Sequence, residues 1–220
     1  MRRYIAPLIF GVGGVAILLS LCVWQVQRLS WKQAKLAEIE SRIAAAPVPL
    51  ADADLQEFFA VTATGTITDE EAHVLTSRKP DGAGFRVISV FETDGRRFLV
   101  DRGFVPEIDK NASRDPIEVT IVGNYRNVEE SDSFTPEPDL AKNIHFARDV
   151  PVMAQVLNAE PVLIILRDTS EANSPVRIWP VDTAGIPNNH LNYAITWFLL
   201  AIVWAGMTAF LLWRIRQRTV

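Results

Sequence analysis

Three histidines and one cysteine are the side chains of this 220-residue chain best suited to hold a metal or attack a substrate. His73 falls in the alternating run His73-Val-Leu-Thr-Ser77, His145 in the stretch Asn143–Asp149, and His190 at the head of an apolar segment. No two of them stand at HxxxH, HxH or HExxH spacing, so a preassembled zinc site is not expected. Cys22 is alone and lies inside an apolar run, which excludes an intramolecular disulfide framework and any CxxC redox or metal site. GxSxG and GxxxxGK[ST] do not occur, and carboxylates without a placed partner carry no acid–base assignment. The expectation is a protein that is not an enzyme.

His190 stands apart because of its neighbours, Pro187-Asn-Asn-His-Leu-Asn-Tyr-Ala-Ile-Thr-Trp-Phe198. An imidazole at a membrane surface, beside amides and aromatic rings, has the chemistry to ligate a metal held in an apolar ligand. On a helix starting near Asn188, positions 190, 197 and 204 share a face, so His190, Trp197 and Trp204 form a stripe with Tyr193 and Ala201 beside it. Two readings stay open for each member. His190 is either a ligand or an interfacial histidine bonded to Asn188 or to lipid headgroups. Interfacial anchoring suffices for Trp197, as for Trp24 and Trp213, whereas Trp204 near mid-span packs either on another helix or on a cofactor.

The elements that must position these residues begin with two spans. Ile5–Trp24 and Ala194–Trp213 each hold 20 residues without a charge, enough at about 1.5 Å per residue to cross a hydrocarbon core of about 30 Å. The first is too long for the apolar core of a cleaved signal and is followed by Val-Trp-Gln-Val-Gln-Arg28 rather than by small residues. Arg2 and Arg3 flank one terminus and Arg214, Arg216 and Arg218 the other, so both tails are expected in the cytoplasm. All 26 acidic residues lie between the spans against 17 basic ones, a balance of −9 that argues against a nucleic-acid partner. The expected division is a cytoplasmic N-terminus (1–4), transmembrane helix (5–25), helical stalk (26–46), extracytoplasmic domain (47–189), transmembrane helix (190–213) and cytoplasmic basic tail (214–220). The absence of a long Arg- and Ser-rich presequence points to a bacterial inner membrane, with the main domain periplasmic, rather than to a mitochondrial inner membrane.

The fold class expected is therefore a membrane protein in which two transmembrane α-helices flank one mainly β (α+β) domain. Residues 59–67, 73–77, 85–91, 97–104, 117–122 and 162–166 are rich in β-branched and aromatic types and read as strands. Asp94-Gly95 predicts a two-residue hairpin turn, and Pro151–Leu157 a short helix opened by proline. The acidic, proline-bearing stretch Glu129–Asp139 predicts an exposed excursion. At Arg102-Gly103-Phe104, either Gly103 permits a bulge that presents Arg102 and Phe104 outward, or the strand simply ends with Phe104 in the core.

Three motifs carry a resemblance. Gly14–Lys35, containing Val23-Trp-Gln-Val-Gln-Arg-Leu-Ser-Trp-Lys32, Val100-Asp-Arg-Gly-Phe-Val-Pro106 and Pro187–Phe198 resemble the first-span, central and C-terminal signatures of the Surfeit locus protein one family of cytochrome c oxidase assembly factors. At Asn143–Asp149 the family carries a more aromatic stretch than this chain does. The resemblance implies a factor that binds haem A transiently and helps its insertion into the catalytic subunit of a haem-copper oxidase. Its implied partners are that subunit, haem A synthase and membrane lipid. It also implies His190 as ligand to the haem iron, with Trp197 as a neighbour. The alternative is a docking scaffold for the oxidase subunit that does not touch haem.

Overall fold

The computed structural model describes residues 2–217. Met1 in the expected 1–4 tail, and Arg218 with the end of the 214–220 tail, lie outside the described residues. The chain forms two compact units, one built from the residues up to Glu38 and from Thr183 onward, the other from Ile39–Asp182.

The first unit is a pair of helices, α1 (Arg2–Ile43, which runs on into the second unit) and α3 (His190–Gln217). Both are long and apolar enough to cross a membrane. Ile9, Phe10, Val12 and Ile17 of α1 and Leu199, Ile202, Val203, Met207 and Phe210 of α3 are exposed on their outer faces. An apolar surface that continuous is not tolerated in water, so its solvent is the bilayer. The helices meet antiparallel. A Cβ on Gly11 would fall on Thr208 and one on Gly14 on Trp204, so small residues on one helix admit bulky ones from the other.

The second unit is a closed sheet. Its strands are β1 (Val48–Pro49), β2 (Ala60–Arg78), β3 (Gly82–Thr93), β4 (Arg96–Pro106), β5 (Ile117–Arg126) and β6 (Glu160–Thr169), with helix α2 (Val150–Val156). The order is β1-β2-β3-β4-β6-β5, and β2 also pairs with β5. Residues 60–67 of β2 pair with β5, and residues 66–78 pair with β3 after an irregularity between Ile67 and Glu71. The two strands expected at 59–67 and 73–77 are thus one long strand that bends and closes the barrel. Only β1–β2 and β4–β6 are parallel.

Alternation along the strands builds two layers. Val61, Ile67, Phe91, Phe98, Val100, Val119, Ile121, Ile164 and Leu166 come from all five long strands and fill the interior. Ile88, Val90, Leu99, Leu163 and Ile165 face the other way and are covered by Val150, Met153 and Ala154 of α2. Strands buried on both faces explain the near-continuous apolar runs of β3, β4 and β6. The turn at Asp94-Gly95 joins β3 to β4 with both residues at positive φ, +49° and +73°, as the sequence predicts. Asp149 caps α2, its carboxylate accepting from Val152 N, with Pro151 in the first turn.

At Arg102-Gly103-Phe104 the bulge is present but the outward presentation is not. Ile88 pairs with Asp101 and Val87 with Gly103, so Arg102 is the extra residue. Phe104 is 0% exposed and Arg102 only 2%. The outward reading fails because residues 176–179 cover this end of β4: Phe104 and Arg177 exchange two backbone hydrogen bonds of 2.8 and 2.9 Å. Gly103 sits at φ +118°, and a Cβ there would stand 2.1 Å from Arg177 O. Gly95 also has positive φ but faces open space. Gly95→Ala is therefore expected to cost about 1 kcal/mol and Gly103→Ala at least about 2 kcal/mol more, through backbone strain plus displacement of the covering segment. Urea denaturation of the detergent-solubilised protein checks this; equal midpoints for the two variants would contradict it.

Candidate functional site

Along α3 the residues that are buried or half-buried, or that touch α1, recur as His190, Ala194, Trp197, Ala201, Trp204, Thr208, Leu212 and Ile215. On α1 a matching line of buried and half-buried residues runs through Tyr4, Pro7, Gly11, Gly14, Leu18, Cys22, Gln25, Leu29 and Lys32, with half-buried Gly13, Val15 and Leu21 beside it. Alternating steps of three and four are the spacing of two helices packed side by side at a shallow angle. The predicted stripe is therefore the seam between the helices. Trp204 lies over Gly14 with its Nε1 3.3 Å from Phe10 O, so the mid-span tryptophan packs on the other helix. Trp197 is half-buried, and its Nε1 is buried with no acceptor.

His190 opens α3 at the head of this seam and is half-buried. The chain is held there by Lys32, whose Nζ donates to Pro187 O, and by the Tyr193 N–H donating to Asn189 O at 3.2 Å. Across the seam, His190 Nδ1 lies 2.8 Å from Gln25 Oε1, and Gln25 is 8% exposed. A buried amide without a partner costs on the order of 1–3 kcal/mol, so the pair satisfies a demand on both sides. With the carbonyl as acceptor, Nδ1 carries the proton and Nε2 keeps its lone pair. Nε2 makes no hydrogen bond among the described residues and is not buried. The side-chain oxygen of Asn188, two positions earlier in the chain, is buried and unpartnered. Chemically, this is one available imidazole nitrogen at the end of an apolar helix pair.

His73 and His145 lie in the other unit. Separated by 72 positions, they are brought together by a parallel bridge at Val74: the His145 N–H donates to His73 O at 2.8 Å, and Leu75 N–H to His145 O at 2.8 Å. The His73 ring meets Glu71 Oε1 at 2.8 Å, and Arg114 reaches the same oxygen at 2.6 Å. Ser89, opposite Glu71 in the sheet, is wholly buried. Burial tends to raise the Glu71 pKa, but the hydrogen bond to His73 and the charges of Arg114, His73 and Arg102 hold it below the usual value. His145 is pushed down by burial and by His73 beside it. Among the described residues no group of three metal-ligating side chains forms here. The Glu71–Arg114 pair ties β2 to the 107–114 turn, and the backbone bridge at Val74 ties it to the 139–145 excursion.

A second buried network surrounds Arg102 and Asp101. Arg102 Nη2 donates to both carboxylate oxygens of Glu171, at 2.8 and 2.9 Å. On the outer face, wholly buried Asp101 meets Arg86, Arg148 at 3.6 Å and the Gly103 N–H at 3.0 Å. Arg86 in turn stacks 4.1 Å from the Trp179 ring, which Phe104 meets edge-on at 6.3 Å. The element Val100–Pro106 thus clamps the returning segment 176–179 against the barrel wall.

Two apolar helices and, between them in the sequence, a closed barrel define a membrane-anchored barrel protein. Comparison with known proteins carries this further. The SURF1 family model matches residues 12–202. Surfeit locus protein 1 of Xenopus tropicalis is 32% identical over 211 residues, 81% of this chain and 67% of its own length. The Homo sapiens protein of that name is 32% identical over 213 residues, covering 82% and 69% of the two chains. A SURF1-like protein of Rickettsia felis is 29% identical over 200 residues, covering 84% and 88%. The chain belongs to the SURF1 family, the family of cytochrome c oxidase assembly factors that its motifs resemble.

Sequence reasoning singled out His190 and Trp197, and the structure places them two turns apart on one seam, about 10 Å along the helix axis. It missed Gln25, although that residue stands in the quoted first-span motif; an amide flanked by Trp24 and Val26 next to an apolar run is the signal that points to it.

The downward shifts of His145 and Glu71 predict an acid-sensitive barrel. His145 and Glu71 both have folded pKa values below their unfolded ones, so the folded state binds fewer protons and stability falls as pH falls. The His145 contribution is complete above its ordinary 6.5 and is lost below it; that of Glu71 is complete above 4.5 and is lost below that. Melting temperature recorded from pH 8 to pH 3 is expected to decline in two stages. Glu71→Gln should weaken the lower stage, to which Glu130 also contributes, and leave the upper stage in place.

Proposed function

We propose that this chain takes part in the assembly of a haem-copper terminal oxidase of the cytochrome c oxidase type, accepting haem A as transient cargo at the head of α3 and helping its insertion into the catalytic subunit. Family membership supports the assembly role. The observation that carries the haem reading is the His190 imidazole, anchored at Nδ1 and free at Nε2, at the end of an apolar helix pair.

The residues present fit such a cargo. The haem, when bound, would supply an iron for the one available imidazole nitrogen. Trp197 supplies an apolar ring on the same face and a buried indole N–H that lacks an acceptor. An apolar macrocycle with a long tail partitions into the bilayer, whose core the exposed flanks of α1 and α3 occupy. A single histidine also suits release, because a carrier with two strong ligands would hold its cargo. The partners of this reading are the catalytic subunit, haem A synthase and membrane lipid. Both termini face the cytoplasm and the barrel faces the periplasm of a bacterial inner membrane, since arginines flank both spans at the chain ends.

A docking scaffold that leaves haem untouched is the second reading. It is favoured by Phe134 and Ile108, each 91% exposed on the barrel unit, which are available to a protein partner. Haem content separates the two. In protein purified from cells that make haem A, wild type should carry haem, His190→Ala should lose at least about ten-fold in haem per protein and Trp197→Ala should lose less. Equal haem content in wild type and His190→Ala would hand the function to the scaffold.

A further inference from the structure

We infer that Gln25 is a positioning residue for His190: its side-chain carbonyl fixes the Nδ1–H tautomer and the ring orientation, so that Nε2 is the nitrogen presented to an incoming haem iron. The inference rests on the haem reading above, but its geometry stands independently of it. Gln25 is 8% exposed in the seam of the helix pair, and its Oε1 is 2.8 Å from Nδ1. Gln27, two residues on, is exposed and makes no such contact, so helix phase selects one amide of the Val-Trp-Gln-Val-Gln motif for this contact. Free neutral imidazole in water favours the Nε2–H form, in which the outward nitrogen would be blocked by a proton. Acceptance of the Nδ1 proton by an oppositely placed carbonyl reverses that preference. Partners of this kind on the far nitrogen of a histidine set both its tautomer and its strength as a ligand. The same bond joins the two helices where α3 begins, so the tautomer it favours is coupled to closure of the seam.

The test uses the full-length protein in lipid nanodiscs and has two independent readouts. The chain has only three histidines, so ring ¹⁵N spectra of histidine-labelled protein resolve the tautomer of each without any haem. Wild type and Gln27→Leu are expected to show His190 protonated at Nδ1, and Gln25→Leu to shift it to Nε2–H. An unchanged tautomer in Gln25→Leu overturns the assignment. In the second readout, haem affinity should fall about ten- to a hundred-fold in Gln25→Leu. Gln25→Glu, which keeps the acceptor, should restore binding and move the haem midpoint potential downward because a carboxylate makes the imidazole a stronger donor. Haem loss in His190→Ala with full retention in Gln25→Leu would overturn the positioning role while leaving the proposed function intact. Retention in His190→Ala would overturn both.

Discussion

The barrel depends on one strand doing two jobs. β2 pairs with β5 over its first half and with β3 over its second, and the irregularity between Ile67 and Glu71 is where it passes from one partner to the other. Without that bend the sheet would be open, and β5 and the first half of β2 would present rows of unpaired backbone groups. Closure also fixes which face is interior, because the alternation along every other strand is set relative to β2. Glu71, His73 and Ser89 follow directly from it. They stand on the interior face just past the bend, where the interior turns from apolar to charged.

Buried charge does a different task on each side of the wall. Inside, Glu71 Oε1 meets His73 and Arg114, and Arg102 Nη2 meets Glu171. Outside, Asp101 meets Arg86 and Arg148. Removing one member of such a set strands the rest in low dielectric, so these groups specify arrangement more than they add net stability. The arrangement they specify is the path of residues 171–179, held by Glu171 on one face and by Trp179 on the other.

Much of this was readable locally. The Asp94-Gly95 turn, the α2 start at Pro151, both apolar helices and the strand character of β3 to β6 depend on residues within a few positions of each other. What escaped depends on pairs far apart. The closure of β2 needs pairings such as Thr64 with Thr120, and the meeting of His73 with His145 needs the 139–145 excursion to return to the barrel. The sequence leaves Phe104 open between surface and core because its environment is supplied by Arg177 and Trp179. At the helix pair, His190 and Trp197 were visible as a stripe, but the partner of His190 lies 165 positions away. No window on the sequence contains both.

The three-and-four spacing of the helix seam has an evolutionary corollary. One residue inserted into α3 between His190 and Trp204 would rotate the histidine by about 100° relative to the tryptophan, carrying it off Gln25. Seven inserted residues would restore its direction to within about 20°. Descendants of this sequence can therefore lengthen or shorten that helix only in near-whole heptads if both contacts are to survive. Thickness of the host membrane must then be matched by tilt or at the flanking residues, not by trimming the span one residue at a time.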